Sequence, residues 1–324
     1  MKRMIFSLMA VLLVFSPTWG QTDNSISTCN IIQSKYYQRV AEAELDFYLG
    51  ESAKAYTSLR ALDQECGLEN STPYHELYYY ALLSIQLRKT ETAFDALQRL
   101  INNYGYKLSD FESIAHYSKL KKAKQWEQFS KKCTLWEEQF VSDTAVFLFF
   151  HSMEQNDQKL RKEYLDSCNH YQQDSLKLAS VKMRYAAQMD SVDYANGMSL
   201  LAFLTENQER EIKLSHYHRQ SIYFSMMSIV IHCANQPELY DSLLSILREA
   251  IPQRRLPPEL FAALIDRHQL NEAEKYIYGF YDHLNPEQII DFQNIDERRW
   301  DIGLSSYSVE KELKSKQMEW YINN

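Results

Sequence analysis

The sequence predicts an all-α protein, made of stacked antiparallel helical hairpins followed by a helical C-terminal domain. Its 324 residues include only seven Gly and seven Pro, too few for the many tight turns of a sheet protein. Apolar residues recur three and four positions apart over most of the chain, which is the spacing of one helix face. Turns near residues 50, 89 and 123 divide the first half into three helix pairs of similar length.

The first 20 residues have the pattern of a secretory signal peptide. Lys2 and Arg3 give a basic start, Met4 to Phe15 form an apolar stretch, and Gly20 is the small residue at the cleavage position. The apolar stretch is too short for a transmembrane helix. We therefore predict a periplasmic or secreted protein, with a mature chain that begins near Gln21 and contains no membrane span.

The first predicted hairpin contains two cysteines at positions that an antiparallel pair of helices brings together. Cys29 stands at the start of the first helix, which ends at Gly50, and Cys66 stands at the end of the second. Because an exported protein enters an oxidising compartment, we predict a disulfide between Cys29 and Cys66. The pairing of the other three cysteines stays open: Cys133, Cys168 and Cys233.

Residues 21–155 are predicted to form tetratricopeptide-like helical repeats. The second hairpin turns at Lys89-Thr90, and the third opens with a predicted capping box of Ser109 and Glu112. The stretch from Tyr79 to Leu97 resembles a tetratricopeptide repeat in placing small residues where two helices meet, and the turns recur at about the 34-residue period of that family. Stacked repeats create a concave surface, so the resemblance implies a groove for a protein or peptide partner. The alternative is that the hairpins only support the second half.

Residues 156–324 are predicted to form a helical domain with longer helices. One is expected from Gln158 to about Met189 and another from Arg210 to Ala234. Pro237 and the pair Pro257-Pro258 each stand where a proline can begin a helix without losing a hydrogen bond.

From about Arg161 to Leu313 the sequence resembles a bacterial domain family of unassigned function, found in exported proteins and sometimes behind helical repeats. The segments that carry the resemblance are Met189 to Asn196, Ile229 to His232, Leu256 to Arg267, Tyr278-Gly279, and Ile295 to Arg299 with Ile302-Gly303-Leu304. The sequence departs from the family at Ile231, where a Gln is expected, and at Phe280-Tyr281. It also lacks the Asp of an Asp-Gln pair expected near Tyr171.

The resemblance implies that eight polar side chains come together: Asp193, Asn196, His232, Asp266, Arg267, Tyr278, Asp296 and Arg298. Carboxylate, imidazole and guanidinium groups can bind an anion, hold a metal or carry out acid–base chemistry. The same residues also fit structural roles, such as a core histidine and ion pairs that tie a loop to a helix. We expect Asp266, Arg267 and Asp296 to bind one another, with Arg267 or Arg298 bridging the two carboxylates.

Composition and motifs narrow the function only to broad classes. The net charge of −8, with no basic block, argues against nucleic acid and anionic membranes as partners. There is no Cys-x-x-Cys pair, and His216 and His218 lie on different helix faces, so we predict no metal site and no cofactor.

Two functions are compatible with this sequence. The first is an exported protein-interaction or scaffold module that uses the groove of the helical repeats. The signal peptide, the regular spacing of the hairpins and the lack of catalytic motifs favour this function. The alternative is a ligand-binding or hydrolase-like site around His232, Asp266 and Asp296. Whether the protein is an enzyme, and its oligomeric state, stay open.

Overall fold

The protein is described by a computed structural model that covers residues 29–208, 212–281 and 285–323. The predicted signal peptide and the predicted mature start near Gln21 lie outside these residues. Across the described ranges the secondary structure is helical, without a β-strand, and one isolated bridge pairs Tyr276 with Ile289. The predicted all-α class is therefore confirmed.

Six helices form the N-terminal part of the chain: α1 (Tyr36–Tyr48), α2 (Ser52–Cys66), α3 (Glu76–Gln86), α4 (Thr90–Tyr104), α5 (Tyr117–Leu120) and α6 (Trp126–Gln139). α1 packs against α2, α3 against α4, and α4 against α6. Gly50, at φ 84°, allows the tight connection from α1 to α2. Turns fall near all three predicted positions, the third at residues 121–125 between α5 and α6, and the tetratricopeptide resemblance of these pairs stays a prediction.

The third predicted hairpin differs from the first two. Between α4 and α6 the chain forms a 3₁₀ turn at Leu108–Phe111 and the single turn of α5. The expected capping box of Ser109 and Glu112 is wrong. The side-chain bond forms two residues earlier, where the carboxylate of Asp110 accepts the backbone N–H of Lys107 at 2.8 Å, and Glu112 pairs with Lys121.

Seven helices follow: α7 (Thr144–His170), α8 (Ser175–Glu206), α9 (His216–Cys233), α10 (Pro237–Ala250), α11 (Pro258–Ala273), α12 (Ile295–Asp301) and α13 (Tyr307–Asn323). The single helix expected from Gln158 to Met189 is wrong, because the chain turns between α7 and α8. There Asp174 caps α8 by accepting the backbone N–H of Lys177 at 3.1 Å. α10 and α11 begin at Pro237 and Pro258, as the prolines predicted.

The two predicted parts of the chain share one apolar interior. The division predicted between residues 155 and 156 falls inside α7, and a single cluster of buried apolar side chains extends from Ile31 to Ile265. In addition, α13 packs against α1, so the two ends of the described chain meet. α7 crosses the predicted boundary and packs against α8 and α9. The two predicted parts are therefore joined by one continuous helix.

The cysteines divide into one bonded pair and three free thiols. Cys29 is joined to Cys66 by a disulfide whose Cα atoms are 5.1 Å apart, a separation that suits such a bond. Cys133 and Cys233 are buried, and Cys168 is half-buried. Among the described helices, none combines the length and the apolar composition that crossing a membrane requires.

Candidate functional site

The first candidate site is a polar cluster shared by three helices. Asp157 and Arg161 lie one turn apart on α7, Asp193 lies on α8, and His232 lies near the end of α9. The Nε of Arg161 donates to both carboxylate oxygens of Asp157, at 2.9 and 3.0 Å. Its Nη2 contacts Oδ1 of Asp193 at 2.7 Å and Nδ1 of His232 at 2.9 Å. One guanidinium therefore joins two carboxylates and an imidazole.

The surroundings keep His232 neutral and Asp193 easier to protonate than usual. Burial, followed by the positive charge of Arg161, lowers the pKa of His232 to about 4. Since a guanidinium can only donate, Nδ1 of the neutral ring accepts from Arg161. Burial raises the pKa of Asp193 to about 6, although the charge of Arg161 opposes this shift.

The cluster contains two of the eight residues that the family resemblance implies, Asp193 and His232. The charge of Arg267 also acts on His232, whereas Asn196, one turn beyond Asp193, makes no hydrogen bond to another described residue. Sequence reasoning missed Asp157 and Arg161. A signal was available, because an arginine follows Asp157 by four residues, which is the spacing of neighbours on one helix face.

Asp266 belongs to a different arrangement. Its carboxylate accepts the backbone N–H groups of Ile277, Tyr278 and Phe280 at 2.7, 2.8 and 2.8 Å. Burial raises the pKa of Asp266, and these three amides oppose the shift because they favour the charged form. Asp266 thus holds the irregular segment after α11 against that helix, and Tyr278 takes part through its backbone.

The expectation that Asp266, Arg267 and Asp296 bind one another is wrong. Asp296 accepts the backbone N–H of Tyr307 at 2.7 Å, and Arg298 donates to the carbonyl oxygens of Ile277 and Asp291 at 3.3 and 3.0 Å. Amides and carbonyls of an irregular segment lack regular backbone partners, so Asp296 and Arg298 bind these groups and not Asp266 or Arg267.

The buried cation of this region is Arg299, a residue outside the predicted set. It is 1% exposed, forms an ion pair with Glu310, and donates to the carbonyl oxygens of Ser305 and Tyr278, each at 2.7 Å. Neither Asp266 nor Asp296 forms a hydrogen bond or ion pair with His232 among the residues described. The three residues of the predicted hydrolase-like site therefore do not converge.

The second candidate site is a cavity of about 360 Å³ between the connection from α2 to α3 and the helices α7 to α10. Most of its wall is apolar, from Val146, Phe150, Phe203, Leu204, Ile222 and Met226. Its volume falls within the range of pockets that bind small molecules, about 300–1,000 Å³. The cavity can therefore enclose an apolar group of small size.

Three arginines line this cavity. They differ in how many hydrogen bonds and ion pairs each guanidinium makes with the described residues. Arg254 donates to the carbonyl oxygens of Gly67 and Cys66, at 2.9 and 2.8 Å. Arg255 donates to the carbonyl oxygen of Gln208 at 3.0 Å and lies 4.0 Å from a carboxylate oxygen of Glu249.

Arg219 is the third arginine, and its charge has no carboxylate partner in the described ranges. Its Nε donates to the carbonyl oxygen of Leu214 at 3.1 Å, and its guanidinium carbon lies 4.6 Å from the ring centre of Tyr104. Its two terminal nitrogens form no hydrogen bond to another described residue. Two donor groups of this guanidinium are thus unused within the described ranges.

Two buried carboxyl groups outside the cavity lining, Glu76 and Glu259, lie close enough to Tyr37 for their charges to act on its phenol. Tyr37 and Tyr223 line the cavity, and the charge of Glu259 acts on both phenols. Burial raises the pKa of Glu259 to about 7, and it does the same for Glu76, which accepts the hydroxyl groups of Tyr36 and Ser71. Titratable groups with shifted pKa values beside a cavity are typical of binding and catalytic sites.

The fold and these two sites define the protein as an all-α protein with a mostly apolar cavity and a separate Asp-Arg-Asp-His cluster. The chain matches no known protein-family model. No curated protein matches it, and no solved structure does.

Proposed function

We propose that the protein is an exported binding module whose cavity takes an apolar group that carries a carboxylate. The observation that carries the proposal is Arg219, whose terminal nitrogens have no partner among the described residues in the wall of a largely apolar cavity. A guanidinium in such a place binds a carboxylate through two parallel hydrogen bonds.

The residues around the cavity favour a binding function over a catalytic one. Its wall joins the N-terminal part, through Glu69 and Ser71, to the helices of the second part, through Ile222 and Ile246. Asp266 and Asp296 accept backbone amides, while His232 contacts Arg161, and this separation favours a binding function over hydrolysis. An interaction module with its site between the two parts fits both observations.

Export is part of the proposal. It rests on the signal-peptide pattern of the first 20 residues and on the resemblance of the second half to a family found in exported proteins. The disulfide between Cys29 and Cys66 supports it, because such bonds persist in oxidising compartments and are rare in the cytosol.

The carboxylate could belong to a free molecule, such as a fatty acid, or to the C-terminus of a peptide with an apolar last residue. The test is calorimetric titration of the mature protein with decanoate, with decanol, and with a short peptide that ends in leucine. We expect decanoate or the peptide to bind and decanol to bind more weakly. The carboxylate that binds with higher affinity shows whether the ligand is a free acid or the C-terminus of a peptide.

Two matched variants separate the role of Arg219 from a general effect of charge. Arg219→Gln should weaken carboxylate binding about 10- to 100-fold, which corresponds to one charged hydrogen-bonding group. Arg255→Gln removes the same charge from the same cavity, but Arg255 already contacts Gln208 and Glu249, so its effect should be smaller. Equal binding of decanoate and decanol, or an unchanged affinity in Arg219→Gln, would refute the proposal.

A further inference from the structure

The polar cluster of Asp157, Arg161, Asp193 and His232 is unrelated to the cavity and has features of its own. Three electron-pair donors from three helices face one point: Oδ1 of Asp157, Oδ1 of Asp193 and Nδ1 of His232. These atoms all lie within 4.8 Å of one another. Two carboxylates and an imidazole nitrogen that face one point suit a cation, such as a guanidinium or a metal ion.

The separations of the ring nitrogen from the two carboxylate oxygens are close to those around a small transition-metal ion. Nδ1 of His232 lies 3.4 Å from Oδ1 of Asp193 and 3.7 Å from Oδ1 of Asp157. Two ligands bound to one tetrahedral zinc ion at about 2.1 Å lie about 3.4 Å apart. The ring nitrogen also carries its lone pair toward the carboxylates, since it accepts a hydrogen bond from Arg161.

In the structure, the guanidinium of Arg161 supplies the positive charge at this point. Its side chain is 27% exposed, while those of Asp157 and Asp193 are 5% and 12% exposed. The two carboxylates are thus buried, and the more exposed side chain of Arg161 approaches them from the solvent-facing side. Arg161 can leave by rotation of its own side chain, without displacement of the three helices.

We propose that Asp157, Asp193 and His232 form a site for a divalent transition metal of the zinc type, and that Arg161 holds this position when the metal is absent. A divalent ion neutralises both carboxylates, whereas one guanidinium leaves a net negative charge. Two oxygen ligands and one imidazole suit zinc, and they leave its fourth position open to water or another ligand. Metal and arginine then compete for the same donors.

The competition makes a specific prediction for titration of zinc chloride into the metal-free full chain. The parent protein should bind one zinc ion per chain. Arg161→Gln should bind zinc at least about tenfold more tightly, because the apparent affinity equals the intrinsic affinity multiplied by the fraction of molecules in which the site is open. Without zinc, Arg161→Gln should melt at a lower temperature than the parent, since two carboxylates lose their cation, and zinc should restore it.

Three further variants locate the site. Asp193→Asn and His232→Ala should each weaken zinc binding at least about tenfold in both backgrounds. His268→Ala is the matched control, because that half-buried imidazole bonds the carbonyl oxygen of Ala234 at 2.9 Å and lies outside the cluster. If the parent protein binds no zinc at millimolar concentration, or if Asp193→Asn and His232→Ala bind as the parent does, the proposal fails. If Arg161→Gln does not fold, zinc binding by Asp193→Asn and His232→Ala in the parent background decides the question.

Discussion

The hydroxyl group of Tyr74 donates a hydrogen bond to the carboxyl group of Glu259, and both side chains are buried. The two residues are 185 positions apart in the sequence. Tyr74 precedes α3, and Glu259 lies in the first turn of α11, so the bond joins the two predicted parts of the chain inside the common interior. The second oxygen of Glu259 is buried without a hydrogen-bonding partner in the described structure.

The burial of Glu259 and Glu76 predicts a stability that falls as the pH rises toward neutrality. Burial raises the pKa of each carboxyl to about 7, from an ordinary value of 4.5. Between these values the folded state holds a proton that the unfolded state has lost, so the free energy of unfolding decreases with pH, by at most about 3 kcal/mol for each group. Below pH 4.5 both states are protonated, and above pH 7 the loss is complete.

Chemical denaturation between pH 4 and pH 8 measures this effect. Glu259→Gln and Glu76→Gln cannot ionise, so each variant should lose less stability over this range than the parent does. Glu238→Gln, an exposed residue in the first turn of α10, is the control and should follow the parent. Profiles of the two buried variants that run parallel to that of the parent would contradict the prediction.

Arg299 should contribute more to stability than the other arginines near it. It is almost fully buried and pairs with Glu310, so Arg299→Met leaves that carboxylate with only the more exposed Lys314 and leaves two carbonyl oxygens without their donor, which should lower the free energy of unfolding by about 3–5 kcal/mol. Arg267→Met should cost less than about 1 kcal/mol, because Arg267 is half-buried and makes no ion pair with another described residue. Urea denaturation of both variants tests the contrast, and a larger loss in Arg267→Met would reverse our interpretation.

The disulfide between Cys29 and Cys66 should stabilise the protein substantially. It closes a loop with a sequence separation of 37, for which the chain-entropy treatment gives about 4 kcal/mol. Cys29→Ala with Cys66→Ala should therefore melt at a lower temperature than the parent in oxidising buffer. A reducing agent should lower the melting temperature of the parent and leave that of the double variant unchanged. The same melting temperature for the parent with and without reducing agent would argue against the bond.

Gly197 should not tolerate a side chain. A Cβ atom there would lie 2.5 Å from Sγ of Cys233 and 2.6 Å from a methyl carbon of Leu239, so α8 approaches its neighbours too closely for alanine. Although alanine favours a helix by about 1 kcal/mol, the added methyl group should make Gly197→Ala less stable by about 1–3 kcal/mol. Ser191→Ala, an exposed change on the same helix, should have little effect on the melting temperature. A Gly197→Ala protein as stable as the parent would show that the neighbouring side chains can move away.

Intact-mass measurement of the protein from its native cell tests the predicted export signal. A mature chain that begins near Gln21 would support cleavage after Gly20. A mass that includes Met1 to Gly20 would reject the signal-peptide interpretation, whatever the outcome of the binding experiments.

The sequence by itself determined the helical class, the two proline-led helix starts and the turns near residues 50, 89 and 123. These features depend on local spacing and local backbone preference, which a single segment carries. Local signals failed where several neighbouring residues can cap a turn. Asp110 bonds the backbone of Lys107 after α4, and Asp174 caps the start of α8 inside the continuous helix expected from Gln158 to Met189.

The tertiary structure decided which polar side chains meet. The sequence showed that Asp193, His232, Asp266 and Asp296 have side chains of the types found in functional sites. The type of a side chain does not determine which groups it contacts in the folded protein. Asp266 and Asp296 lie beside irregular backbone whose amides need acceptors, and they bind those amides. Asp193 and His232 lie on regular helices that satisfy their own backbone, so both remain free to meet Arg161 from a third helix.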